Sequence, residues 1–307
     1  MTIATAEQES VTIRKGLPLW RLLWRDKFAT AAALWLVILL CFVLIGPAFL
    51  NENAIRVDLS ARNSPPGLAH GWIYLFGADP LGRPLLPRLM VGARNTLAIA
   101  VSAVVIALTI GSILGMIAGY VGGLVGAAIM RLADVISSFP SLLLALIVLY
   151  VLEPHVMNLV IVLAITRTAI YLRVTRAEVL EIRERVFVDA ARALGGNSAH
   201  ILRKHVAPVV APMLLTIMTV DFASVMLAES ALSFLGIGIQ PPEITWGLMV
   251  SQGRNYLAQA WWLAFIPGLA IMLTALSANL LSSWLRIVTH PAHRWRLEAP
   301  REKGARK

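Results

Sequence analysis

The chain has 307 residues, 58% of them hydrophobic and 14% charged, against roughly 25% charged in soluble domains; its mean hydropathy is +0.74. Several apolar runs approach the ~20 residues needed to cross a bilayer, which excludes a soluble fold and predicts an all-α polytopic membrane protein. The net charge of +10 comes from basic residues beside those runs, with no aromatic–basic RNA motif or zinc finger, so nucleic acid is excluded as a partner; the lone Cys41 excludes an intrachain disulfide.

In chain order, residues 1–28 form an N-terminal segment. Its stretch Leu17–Lys27 interleaves Trp20, Leu23 and Trp24 with Arg21, Arg25 and Lys27, the pattern of a helix lying on a membrane surface. The first apolar run is too long for a cleavable signal, so a retained first span is expected. Six spans are predicted, over Ala29–Leu50, Thr96–Ala118, Ala127–Leu152, Asn158–Ile170, Met213–Ile237 and Ala258–Val288. Between the first two, residues 51–95 are rich in turn chemistry (Pro65-Pro66, Asp79-Pro80, Gly82, Pro84) and should form an ordered external cap. Residues 96–288 make up a five-helix core, and 289–307 a basic tail. Gly111, Gly115 and Gly119 recur every fourth residue, a groove for close helix approach within the chain or between subunits.

Lys and Arg set the orientation. Residues 1–28 hold 5, the segment 171–208 holds 7, and the stretch from Arg286 onward holds 7, so 19 of the 27 fall in three regions that six spans place together on the cytoplasmic side. Arg56, Arg62, Arg83, Arg88 and Arg94 run against the trend, offset by Glu52, Asp58 and Asp79.

No G-x-x-x-x-G-K-[ST], H-E-x-x-H, G-x-S-x-G or Cys/His cluster occurs. No catalytic residue, metal or cofactor is therefore expected, and any nucleotide chemistry belongs to another subunit. The positive signal is 171–208. Tyr171–Leu194 is predicted as a helix, with Glu181 and Arg185 at pairing distance. Gly195-Gly196 ends it, Asn197 or Ser198 caps a second short helix, and Pro208 follows. Ala190, Ala191 and Ala193 remove bulk, while Arg192, Arg203 and Lys204 can seek acidic groups. Together these give a compact knuckle able to enter a groove on another protein.

Asp134, Asp221 and Glu229 lie in apolar surroundings and should face protein or water. Asp134 is expected to pair with Arg131. Two roles stand open for Asp221 and Glu229, eight residues apart. Either they line a translocation path and meet the positive end of a peptide-like or cationic substrate, or they make interhelical hydrogen bonds. Trp246, Trp261 and Trp262 are expected to form an aromatic belt at the outer face.

Asp189-Ala190-Ala191, then Gly195 and Pro208 at set intervals, resemble the EAA loop of ABC importer permeases, with Asp189 for the usual Glu, His205 for Ile and Ala207 for Leu. Phe76-Gly77-Ala78-Asp79-Pro80-Leu81-Gly82-Arg83, Gly92-Ala93-Arg94-Asn95-Thr96-Leu97, Gly119-Tyr120-Val121-Gly122-Gly123, Phe139-Pro140-Ser141 and Glu229-Ser230-Ala231-Leu232-Ser233-Phe234-Leu235-Gly236 resemble the dipeptide/oligopeptide/nickel group of that family. The resemblance is to its second permease type, which has one helix before the five-helix core. Pro84 and Pro87 stand where Asp and Ser are usual.

The resemblance implies a type I ABC importer permease in a bacterial inner membrane, with both termini cytoplasmic. Asp189, Ala190, Ala191, Arg192, Gly195 and Pro208 would couple it to ATP-binding cassette subunits, of which there are two. The other implied partners are a second homologous permease, an extracytoplasmic substrate-binding protein and the lipid bilayer. The rival is an ion-gradient-driven secondary transporter using Asp221 and Glu229 as proton carriers. That predicts inverted repeats with broken helices, and no such repeat is visible in the sequence.

Overall fold

The structure is a computed structural model that describes residues 19–152 and 155–289. The first part of the expected surface helix and the basic tail from residue 290 lie outside the described residues. Among those described, the chain is helical with no strand beyond an isolated Ala78–Pro84 bridge.

Helix α1 (Leu19–Arg25) falls in the stretch expected to form a surface helix, with Trp20 and Trp24 exposed and Leu22 buried against Ala29, Trp284 and Val288. Asp26 then caps α2 (Lys27–Ile55), its carboxylate accepting from the amides of Phe28 and Ala29. The apolar stretch of α2 is only 17% buried within the chain, as expected of a helix whose outer face meets lipid.

α3 (Leu85–Val121) begins eleven residues before the predicted span, because Pro84 takes the extended cap conformation and Pro87 falls in the first turn, where its missing N–H has no helical partner to lose. At about 55 Å, this helix far exceeds a hydrocarbon core of about 30 Å. The glycine ladder is an internal seam. A Cβ on Gly111, Gly115 or Gly119 would stand 2.6, 2.6 or 2.8 Å from Tyr171, Thr175 or Val179 of α6 (Val156–Ile182), so α3 and α6 touch backbone to backbone. This settles the groove in favour of packing within the chain.

The predicted third span is two helices, α4 (Gly123–Ser137) and α5 (Ser141–Leu152), bent by 83°. Pro140 has no N–H to continue α4 and disfavours the helical conformation at Phe139, which makes the corner. The pair still carries the chain from one end of α6 to the other. Gly122 lies beside Arg183 just past the end of α6, and the Leu152 carbonyl accepts from Asn158 near its start. The two legs, about 22 and 18 Å long, together reach about 30 Å at that angle, enough for one passage. Among the described residues, five helices are long and apolar enough to cross a membrane, or six with the bent pair taken as one span.

The fourth span is not the short segment 158–170. α6 runs to Ile182 because Arg173, Arg176, Glu178 and Glu181 end the apolar run but not the helix. The predicted helix to Leu194 is instead broken at Arg183–Arg185, beyond which α7 (Val186–Ala193) and α8 (Ser198–Ile201) follow. From Leu202 a π-turn leads directly into α9 (Ala207–Phe234), so Pro208 opens a membrane helix rather than closing the short one. After α10 (Trp246–Gly253), α11 (Trp262–Thr289) packs on α2, α9 and α10.

Candidate functional site: an exposed knuckle and two enclosed carboxylates

The knuckle forms from local rules. α7 ends in a left-handed residue, Gly195 (φ +85°). The Gly195 and Gly196 amides donate to the carbonyls of Arg192 and Ala191, both at 2.9 Å, the paired bonds of a Schellman stop. One residue later, Asn197 caps α8 by accepting from the His200 amide at 2.8 Å. Val188, Ile201 and Val206 are fully buried and hold both short helices to the core. The opposite face is open, with Val186 83% and Leu194 89% exposed. Ala190, Ala193 and Gly195 continue this face, with Asp189, Arg203 and Lys204 also exposed.

Arg192 is engaged within the chain. Its guanidinium lies over the Tyr120 ring, contacts the Tyr120 hydroxyl at 3.4 Å and reaches Asp189 at 3.2 Å. Tyr120, at the end of α3, is therefore the seat of α7, a role its sequence motif does not reveal. Arg183 adds a second tie, donating to the Gly119 carbonyl at 3.0 Å.

Asp221 and Glu229 share a helix but not a site. Asp221 is buried and meets Arg167 of α6 at 3.3 Å. Glu229, fully buried, accepts from Ser233 at 2.8 Å and Ser230 at 3.3 Å, where the end of α9 packs under α10. Asp134 pairs with Arg173 at 3.1 Å, not with Arg131, because α4 lies across α6 and brings that guanidinium to it. Arg167 was the missed residue: a lone arginine inside an apolar run signals a buried counter-charge.

At the opposite end from the knuckle, the segment 56–84 folds into a cap. Asp79 accepts from the amides of Leu81 and Arg83 and from the Arg83 guanidinium at 2.6 Å. The buried Arg88, 3.8 Å from that carboxylate, also donates to the Ala54 carbonyl and to Gln252. Hydrogen bonds from Ser60 hold the Asp58 carboxyl below the usual carboxylate range. Two of the three belt tryptophans are structural. Trp246 and Trp262 are buried and donate to the carbonyls of Leu89 (2.9 Å) and Ala78 (3.3 Å); Trp261 alone is exposed. The indole N–H of Trp246 finds its acceptor in α3 and that of Trp262 in the cap, so neither ring is free for an interface.

These features define an all-α, multi-pass membrane protein with an ordered cap at one end and an open helical knuckle at the other. Residues 111–287 match the family described as binding-protein-dependent transport system inner membrane component, and the chain belongs to that family. A Brucella suis protein named for peptide transport as a system permease is 38% identical over 88% of this chain and 90% of its own length. A di/tripeptide transport system permease protein of Pseudomonas aeruginosa is 36% identical over 89% and 90%, and a glutathione transport system permease protein of Shigella flexneri 37% over 89% of each.

Proposed function

We propose that this chain is one of two permease subunits of an ATP-driven importer for peptides or related small solutes, coupled to its ATPases through the α7–α8 knuckle. The observation that carries this reading is the knuckle's exposed apolar face. Val186 and Leu194 stand open on two short helices rooted in the core, and an exposed apolar patch on a rigid support is what a protein partner covers. Asp189, Ala190, Ala191, Arg192, Gly195 and Pro208 are the coupling positions. Asp189 and Arg192 set the seat of α7, the small residues keep its face low, and Pro208 opens the helix that the knuckle would move. The Lys/Arg distribution supports a cytoplasmic knuckle and cytoplasmic termini in a bacterial inner membrane. The cap would then face an extracytoplasmic binding protein, and the names of the relatives support peptides as cargo. For Asp221 the geometry favours an interhelical pair with Arg167, and for Glu229 hydrogen bonds within α9, over exposure to a path, since both are enclosed by protein.

The test is co-purification followed by reconstitution. The wild-type chain should carry two ATPase subunits and support ATP-dependent uptake with its binding protein. Gly195→Leu places a side chain on a left-handed residue, at a cost of about 1–2 kcal/mol, and adds bulk to the open face. It should release the ATPase while leaving membrane insertion intact. Retained ATPase with undiminished ATP-coupled uptake would count against the coupling role, and uptake driven by an ion gradient alone would favour the secondary-transporter reading.

A further inference from the structure

Asp221 stands at the middle of α9, and Arg167 lies about 17 Å along α6 from its first residue, near the centre of a hydrocarbon layer about 30 Å thick. Ionisable groups at that depth are costly and mark function. This pair is also incompletely satisfied. Arg167 reaches one carboxylate oxygen at 3.3 Å, while the other, Asp221 Oδ2, is buried without a hydrogen bond. The Tyr171 hydroxyl lies beside the same carboxylate, itself buried and with no hydrogen bond of standard geometry. Arg167 and Tyr171 are one turn apart on the same side of α6. The carboxylate thus has one partner engaged and a second within reach, one turn nearer the knuckle.

A turn further on, Thr175 Oγ1 is again buried and unpartnered. It borders a cavity of about 310 Å³ between α3, α6 and α9, lined also by Thr109, Ser112, Val210 and Leu214. The cavity lies at the foot of α9, immediately after Pro208, and Pro212 leaves the helix there without one backbone hydrogen bond. The seam between α3 and α6 has no such slack, because its glycines hold the two backbones together. A displacement of the knuckle is therefore resisted between α3 and α6 and accommodated between α6 and α9.

We propose that Arg167, Tyr171 and Asp221 are positioning residues for transport, a two-position switch in which α9 shifts along α6 and Asp221 passes from Arg167 to Tyr171. The proposal rests on the coupling role given to the knuckle above. A carboxylate in hydrocarbon is stable only with a partner, so two partners one turn apart make two discrete registers rather than a continuum. The knuckle, joined to the ends of both helices, would bias which register is held.

The test uses the complete importer, with its ATPases and binding protein, in proteoliposomes, measuring uptake and ATP hydrolysis on the same preparation. Tyr171→Phe keeps the ring and removes only the second partner. Asp221→Asn keeps the volume and removes the charge. Tyr171→Phe should assemble at wild-type yield, while Asp221→Asn leaves Arg167 facing a neutral amide and should assemble at lower yield, so both are compared by the uptake-to-ATP ratio of the assembled complex. Uptake per ATP should fall roughly tenfold in Tyr171→Phe, since a hydrogen bond to a charged group biases a two-state equilibrium by at least that much. Asp221→Asn should fall similarly, and the double variant no further, because both act on one element. Tyr171→Phe at normal yield with an unchanged uptake-to-ATP ratio overturns the switch, as does a fully additive loss in the double variant. A purely structural pair would lower yield and thermal stability while leaving the ratio alone, which also overturns it. Absence of ATP-driven uptake in the wild-type preparation overturns the importer reading itself, and the switch with it.

Discussion

The cap and the knuckle both depend on left-handed glycines, yet for opposite reasons. In the cap, Gly82 (φ +72°) is pressed against backbone: a Cβ would come within van der Waals overlap of the Asp58 carbonyl, and one on Gly77 would meet Ser64 O at 2.8 Å and Trp262. In the knuckle, Gly195 has the same backbone hand with nothing within 4 Å of where its Cβ would be. Glycine closes the cap on itself and leaves the knuckle open to something else. A region whose polar groups are consumed internally is a finished surface, whereas one with unused apolar area awaits a partner.

Three substitutions would break or sharpen this contrast. Gly82→Val forces both steric overlap and a left-handed β-branched residue, so it should cost more than about 4 kcal/mol. The expected outcome is loss of the folded chain from detergent extracts, measured by size-exclusion yield; a normal yield would mean that the cap is looser than its contacts imply. Asp79→Asn leaves the buried Arg88 facing a neutral amide and should destabilise the cap by about 3 kcal/mol, read as a lower thermal midpoint with amide exchange rising first in 56–84. Tyr120→Phe removes one contact at the edge of the knuckle. It should speed amide exchange in 186–196 and leave the thermal midpoint within error. Equal effects of this and Asp79→Asn on the midpoint would erase the distinction between the two regions.

Much of this contrast is legible in the sequence, because turns and caps are local. Gly195-Gly196 and Asn197 act through residues a few positions apart, and the four-residue spacing of the glycine ladder is local although the helix it meets, sixty residues on, is not. The bend at Pro140 obeys an equally local rule, yet the apolar run continues through it and conceals the corner. Hydropathy also ends α6 too early, since charged residues leave the membrane without leaving the helix. Arg167–Asp221, Arg173–Asp134 and the buried indoles of Trp246 and Trp262 depend on which helices become neighbours. Nothing in a single chain's spacing specifies that. The binding-protein transport family membership sets the overall architecture, but the open alternatives at Asp221 narrow only when α6 is placed beside α9.

One dimension of α3 carries a mechanical consequence. Its start is tied to the cap, to α2 and to α10, with Arg88 3.8 Å from Asp79 and bonded to Ala54 and Gln252, and its end seats α7 through Tyr120. No glycine or proline break interrupts the rod between them strongly enough to end the helix. Over about 55 Å, a tilt of only about 5° carries one end sideways by roughly 5 Å relative to the other. The two faces of the membrane are thereby geared together by a single stiff element, with a ratio set by where along its length the rod pivots.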